Sequence, residues 1–354
     1  MVPHRTTGIM HALPSLASLL LLASIAWGGD ADPTISANGL FLAGYTKLED
    51  PDGAPTSRTG LFAQQLEVHL AAPVDSGIVG EVTLTLPRGS RTEERIDITE
   101  AFIAVRLSPL WDIRAGRFYV AFGQHNLLHS HEFPFLDRPL VLENLFGIDG
   151  IDEVGLDARR RLPRLGNAVL SLQTYSGDNL RWPSRTDEDL LHAVRLHKTW
   201  EASQDRAEAG ASWAGGANLE ERFTHAIGGD LTVERFDAAG ILELRWQAEY
   251  ALASEDFRAG RRTTGGLTTY VQHRIARRWW AQARYDIYGL PRPSGESWED
   301  RGTILLAYIA SDRAPLRIQY SRWRVDALGR GFNQYHVQLN FTLGDHRPHR
   351  YHRS

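Results

Sequence analysis

Cysteine is absent from all 354 residues. That excludes disulfides, thiolate nucleophiles and Cys-based zinc sites, and it suits a chain exported through an oxidising compartment, where stray thiols mispair. Lysine is almost absent: Lys47 and Lys198 are the only two, so nearly every cation is an arginine. Charge of one sign is missing too. The formal net charge is -4, and no block of like charges gives a nucleic acid a footprint. Long apolar runs occur once, at Leu16–Ala26, behind His4 and Arg5 and ahead of small residues and the polar Asp30-Ala31-Asp32-Pro33. This is the pattern of a secretory signal peptide over residues 1–26, too short to span a bilayer as a helix. No later stretch reaches the roughly 20 apolar residues that a membrane helix requires. The mature chain therefore either stays in water or crosses a membrane as strands.

What the chain does contain is alternation. Leu242, Leu244, Trp246, Ala248 and Tyr250 share one phase, and Ile241, Glu243, Arg245, Gln247 and Glu249 share the other. Successive strand side chains point to opposite faces, so this segment has one apolar and one polar side. Ile78–Leu86, Trp279–Tyr288 and Tyr335–Leu343 repeat the pattern. Segments of about ten residues with this period are the signature of outer-membrane barrels.

Connectors between candidate strands alternate long and short. The long ones include 50–59, 87–95, 119–152, 176–188 and 253–262, and the short ones 73–76, 108–110, 201–206 and 276–278. Barrels with brief periplasmic turns and longer outer loops produce that rhythm. The count predicts an all-β fold, a transmembrane antiparallel barrel of about 16 strands, an even number as closure requires. It places the barrel at 33–345, with a His-rich tail at 346–354. A soluble sandwich would alternate as well, but its apolar faces need a second layer, and the apolar faces here carry terminal aromatics such as Trp279, Tyr285, Tyr250 and Tyr335.

Connector 119–152 is too long for a structureless loop without a task. It is expected to fold inward and narrow the bore. A ring of Glu132, Asp137, Arg138 and Glu143 from this loop, facing Glu243, Arg245, Arg284 and Asp286 from the wall, would set a transverse field favouring hydrated solutes. Water inside a barrel lets such charges stay ionised, whereas lipid outside forbids them.

Histidines form two groups, His125, His129 and His131 in the loop and His346, His349 and His352 in the tail. Imidazoles that converge at ~2.0–2.1 Å bind zinc or similar divalent metals, so both groups are candidate metal ligands, with Glu132 as a fourth for the loop. The alternative is a polar loop and a basic tail with no metal and no cofactor.

Glu100-Ala101-Phe102-Ile103-Ala104-Val105, followed by Ile113-Arg114-Ala115-Gly116-Arg117-Phe118-Tyr119-Val120-Ala121-Phe122-Gly123, resembles the Gram-negative porin superfamily, in the branch near the phosphate-selective porins. The resemblance implies a 16-stranded channel in the outer membrane of a Gram-negative bacterium, a third loop in the lumen and a homotrimer. Its partners would be outer-membrane lipid and small hydrophilic solutes or ions, with no nucleic acid. Phosphate-selective members use a ladder of lysines, which two lysines cannot supply, so phosphate selectivity does not carry over. A metal-binding barrel is the alternative function. An outer-membrane hydrolase is a weaker one, since His129, Ser130, His131 and Glu132 are adjacent in sequence and neighbouring side chains do not form a triad. No Gly-x-Ser-x-Gly, P-loop or dinucleotide fingerprint occurs, and the chain is expected not to be an enzyme.

Overall fold

The computed structural model describes residues 33–48, 57–86, 96–179, 181–183, 189–291, 298–311 and 313–344. The expected signal segment 1–26 and the tail histidines His346, His349 and His352 lie outside them. Sixteen strands are described: β1 (Thr34–Leu48), β2 (Ser57–Asp75), β3 (Ile78–Leu86), β4 (Asp97–Ser108), β5 (Trp111–Tyr119), β6 (Asp152–Leu162), β7 (Ala168–Tyr175) and β8 (Leu191–Ala202). Then come β9 (Asp205–Ala217), β10 (Phe223–Phe236), β11 (Leu242–Phe257), β12 (Gly260–Ala276), β13 (Trp279–Leu290), β14 (Glu299–Ile309), β15 (Pro315–Val325) and β16 (Arg330–Gly344). Each pairs antiparallel with its sequence neighbours, and β16 returns to β1, from Ser36↔Gly344 to Leu48↔Phe332, closing the barrel. Closure leaves no strand edge unpaired, the condition for spanning lipid with sheet.

The two phases take opposite faces. Gln247 and Glu249 are buried while Trp246 is exposed, and Gln282, Arg284 and Asp286 are buried while Trp279 and Tyr285 are exposed. In a globular protein this burial would be inverted. Here the polar phase looks into the enclosed space, and the apolar phase looks out at what would be hydrocarbon. Aromatic pairs mark both rims of that apolar band. Trp279–Tyr308, with ring centroids 4.9 Å apart, lies toward the short turns, and Tyr320–Tyr335, at 5.0 Å, toward the longer connectors.

Two expectations change. Connector 253–262 is not long, because β11 continues to Phe257 and β12 starts at Gly260. Opposite charges hold this extension together, with Glu255 facing Arg262 and Asp256 facing Arg261 at 2.6 Å. A strand that has risen beyond the lipid needs no apolar phase, so periodicity cannot mark it. The 119–152 connector in turn has structure of its own. Residues 120–151 contain single 3₁₀ turns at His125–Leu127 and Ser130–Glu132 and a helix, α1, at Leu140–Phe146. Pro139 precedes the first turn of α1, and Gly147 at φ 90° ends it, a conformation that glycine reaches without penalty.

Candidate functional site

Helix α1 is apolar nearly all round: Leu140, Val141, Leu142, Leu145 and Phe146 are buried. A helix of that composition needs apolar surroundings on every side. The wall supplies them with small residues. Ala193 of β8, Ala214 of β9, Ala226 of β10, and Ala251 and Ala253 of β11 are buried in one cluster with Phe122, Val141, Leu142, Leu145, Phe146 and Trp182. Phe122 meets Phe146 edge-on at 5.1 Å, and the Trp182 indole stacks on Phe146 at 6.0 Å while donating to the Thr224 carbonyl at 2.9 Å. Glycine makes the closest approaches. A Cβ at Gly228 would lie 2.9 Å from the Phe122 ring, and one at Gly266 would lie 2.8 Å from Val141. Each large side chain buried here contributes about 2 kcal/mol.

Polar wall residues then hold the backbone of the same segment. The amides of Ala121, Gly123 and His125 donate to Gln173 of β7 (2.8 Å), Ser212 of β9 (3.1 Å) and Glu249 of β11 (3.2 Å). Gly123 sits at φ 64°, and a Cβ there would collide with the Glu249 carboxylate at 1.8 Å. Across the ring, Gln64 of β2 donates to the Leu136 carbonyl (2.8 Å), Arg317 of β15 to that of Phe133 (2.7 Å) and Arg301 of β14 to that of Arg138 (2.7 Å). Strands β2 and β11 lie on opposite sides of the closed order, so one segment touches opposite walls.

Four of the expected ring residues converge. The Asp137 carboxylate lies 2.7 Å from Arg301 and 3.0 Å from Arg284, and it accepts from Gln319 at 2.9 Å. Asp286 lies 2.9 Å from Arg284 and 3.4 Å from Arg301, and Glu143 lies 3.9 Å from Arg301. Burial pushes Asp137 up, but the two guanidiniums outweigh it and hold the acid well below the usual carboxylate range. Glu143, with a more distant cation, is raised by burial. Asp137, Glu143 and Arg301 line a cavity of about 1010 Å³, together with Gln64 and Gln319.

The other four expected residues do other things. Glu132 accepts the His129 amide at 3.3 Å and so caps its own 3₁₀ turn. Arg138 borders the cavity but donates to the carbonyls of Ile148 (3.1 Å) and Asp149 (3.0 Å), stitching the segment to itself. Glu243 and Arg245 lie nearer the short turn that opens β11, where Arg245 pairs with Glu234 at 2.7 Å.

The loop histidines are not grouped as ligands of one metal ion among the described residues. His129 is held between two carboxylates, with Nε2 2.9 Å from Glu100 and Nδ1 3.3 Å from Glu67, and His131 lies 3.2 Å from the other Glu67 oxygen. Both nitrogens of His129 are thereby occupied. His125 packs instead on the Phe133 ring at 4.6 Å, and neither of its nitrogens has a partner among the described residues. Among those residues, no three of His, Asp and Glu are grouped to hold a metal ion. Burial lowers the His129 pKa, yet Glu67 and Glu100 override it and raise it well above the ordinary value, so the ring is an imidazolium at neutral pH. Burial, aided by Arg138 and Arg284, drives His125 the other way, and it stays neutral.

Sequence reasoning missed Arg301, Arg317, Gln64, Gln319, Glu67, Glu100 and Glu249. All but Gln64 stand among the buried polar residues of their strands, so strand phase was the available signal. It also missed the alanine and glycine positions of β8 to β12. Ala214-Gly215-Gly216, Gly228-Gly229 and Gly265-Gly266 are places where a wall withholds side chains because something else fills the space.

Residues 84–293 match the family described as phosphate-selective porin O and P. An uncharacterized protein of Aquifex aeolicus (strain VF5) is 23% identical over 351 residues, covering 84% of this chain and 71% of its own. Among solved structures, the anion-selective porin from Comamonas acidovorans superposes with a TM-score of 0.64 at 11% identity, covering 89% of this chain and all of its own. The outer membrane channel DcaP of Acinetobacter baumannii gives 0.62 at 12%, covering 88% and 97%, and Salmonella typhi OmpF in complex with daunomycin gives 0.57 at 11%, also covering 88% and 97%. At such identities the likeness shows the fold alone. The family match runs through more than half of the chain and across a barrel closed at 16 strands. The chain belongs to the phosphate-selective porin O and P family, as a porin-like channel whose relatives point to the Gram-negative outer membrane.

Proposed function

We propose that segment 120–151 is an inward-folded constriction loop, and that the barrel passes small hydrophilic solutes or ions by passive diffusion through the space left beside it. One observation carries this reading: loop carboxylates Asp137 and Glu143 face wall guanidiniums Arg284 and Arg301 beside a cavity of about 1010 Å³. Opposed charges at a narrow point orient water and dipolar solutes and penalise apolar ones. Lysines do not line this cavity, and its arginines are balanced by acids, so the reading does not include phosphate selectivity. Ser130 and His131 sit in the turn capped by Glu132, an arrangement that favours a structural role over hydrolysis. Cleavage of the signal segment and assembly as a homotrimer belong to the same proposal. Mass measurement of the exported chain reads the first, and cross-linking in membranes the second.

Planar-bilayer recording tests the channel itself. Wild-type protein should give ohmic single-channel steps, and Asp137→Asn or Arg284→Gln should move the reversal potential in opposite directions under a salt gradient. Unchanged reversal potentials in both variants would refute the constriction assignment, and the absence of steps would refute passive diffusion.

A further inference from the structure

On the outward face, toward the short turns, three cations stand together without counterions. Arg160 is at the end of β6, Lys198 on β8, and Arg164 in the 3₁₀ turn Pro163–Leu165 that follows β6. Among the described residues none of the three has an ion-pair partner. Three other cations of this rim are paired: Arg106 with Asp112 at 3.2 Å, Arg235 with Asp205 at 3.0 Å, and Arg274 with Asp237.

Strand phase fixes where Arg160 and Lys198 point. Val154 and Leu156 of β6 are exposed and Glu153, Asp157 and Arg159 are buried, so Arg160 continues the outward phase. In β8, Leu196 and Trp200 are exposed while Leu191, Ala193 and Arg195 are buried, which puts Lys198 outward too. The registers Arg160↔Leu170 and Leu170↔Leu196 set Arg160 and Leu196 at one level across β6, β7 and β8, a lateral span of about 10 Å, with Lys198 one outward step nearer the turn. The Lys198 ammonium reaches that turn, since a Cβ at Gly166 would lie 2.6 Å from Nζ. Two tryptophans hold the cations at this height. The Arg160 guanidinium lies 5.1 Å over the Trp111 ring, and the Lys198 ammonium 5.2 Å over Trp200. From this level away from the turn runs an exposed apolar column of Leu196, Leu172 and Leu156.

Indole rings at the edge of an apolar band belong at the membrane–water interface, and long cationic side chains there keep their stems in lipid and their charge among headgroups. Within the membrane the group that meets this face is a lipid. Unpaired cations under an acyl-facing column complement a lipid with net negative charge. We infer that Arg160, Arg164 and Lys198 form a binding site for the phosphodiester headgroup of an anionic phospholipid in the leaflet at the short-turn side of the barrel.

The test is native mass spectrometry of the full-length barrel in dodecyl maltoside, titrated with phosphatidylglycerol and separately with zwitterionic phosphatidylcholine. Wild type should retain phosphatidylglycerol preferentially. The double variant Arg160→Gln/Lys198→Gln should weaken that retention about 10- to 30-fold, the combined effect of removing two interfacial cations. Arg160→Lys/Lys198→Arg should keep it, and Arg277→Gln, on another turn of the rim, should leave it unchanged. Unheated gel migration confirms that each variant retains the closed barrel. Equal retention of the two lipids by wild type, or wild-type retention by the double glutamine variant, would overturn the inference without touching the channel reading.

Discussion

Two arcs of the inner wall treat segment 120–151 in opposite ways. On β8 to β12 one level of the inward wall is pared to alanine and glycine, and α1 and Phe122 of the segment pack there together with Trp182 from the connector between β7 and β8. From β13 round to β2 the inward wall carries long polar side chains, and Arg284, Arg301, Arg317, Gln319 and Gln64 meet the segment at its carbonyls and at Asp137. Apolar packing has no directional preference and excludes water, so it can fix where the segment sits. Hydrogen bonds from extended side chains tolerate water between them, so the second arc can keep a cavity open. In the proposed channel, one arc anchors and the other conducts.

The largest expected effect comes from breaking the anchor. Gly228→Leu would drive a side chain into Phe122 and lift the segment from its seat, raising single-channel conductance severalfold. Phe146→Ala removes the ring joining Phe122 to Trp182 and should destabilise the docked segment by about 3–5 kcal/mol, read as faster proteolysis within 120–151. Wild-type conductance in Gly228→Leu would mean that the small-residue arc is not a seat at all.

A change on the conducting arc should alter selectivity and leave the seat intact. Asp137→Asn exposes Arg284 and Arg301 to permeating ions without the loop carboxylate they share. At about 1 kcal/mol for one charge at 4 Å in water, the permeability ratio should move about fivefold toward anions, measured as a reversal potential. Arg245→Gln, below this level on β11, should leave the ratio where it was.

Acidity separates the two kinds of clamp on the segment. His129 has its pKa raised well above the ordinary 6.5 by Glu67 and Glu100, despite burial. Its contribution is therefore complete below that value and is lost as pH rises through the elevated one. Asp137 is depressed from 3.8 by Arg284 and Arg301, against burial, so its contribution is present above 3.8 and lost only as pH falls well below it. Hydrogen-exchange protection of residues 125–138 should thus persist through neutral pH and decline at both extremes. Glu67→Gln should pull the alkaline limit down toward 6.5. An alkaline limit unmoved by that substitution would remove His129 from the account. The smallest effect is expected at the exposed Asp256–Arg261 pair, where Arg261→Ala should leave conductance and melting unaltered, as surface pairs usually do.

Most of the ring was legible in the sequence, because alternation between lipid and water is imposed on every strand within the membrane. It failed where that constraint ends, at Glu255–Arg262, whose strands stand clear of the apolar band. The third long connector was legible by its length, and Asp137, Glu143, Arg284 and Asp286 by their charge and position. Which loop residue meets which wall residue was not legible, because that depends on how the segment bends at Gly123, Pro139 and Gly147 and on shear between strands. His129 and His131 read as metal ligands because spacing alone cannot reveal that Glu67 and Glu100 approach from other strands. The alanine and glycine run on β8 to β12 was visible and went unread; an inward phase without side chains signals an occupant.

The most direct test replaces residues 124–148 with a short Gly-Ser turn, which the Tyr119↔Asp152 pairing at the ends of β5 and β6 can accommodate. Single-channel recording of this variant beside wild type should show larger steps and a reversal potential close to zero under a salt gradient. Steps of wild-type size with wild-type selectivity would contradict the account, because the passage would then be set by the wall and not by the segment seated against it.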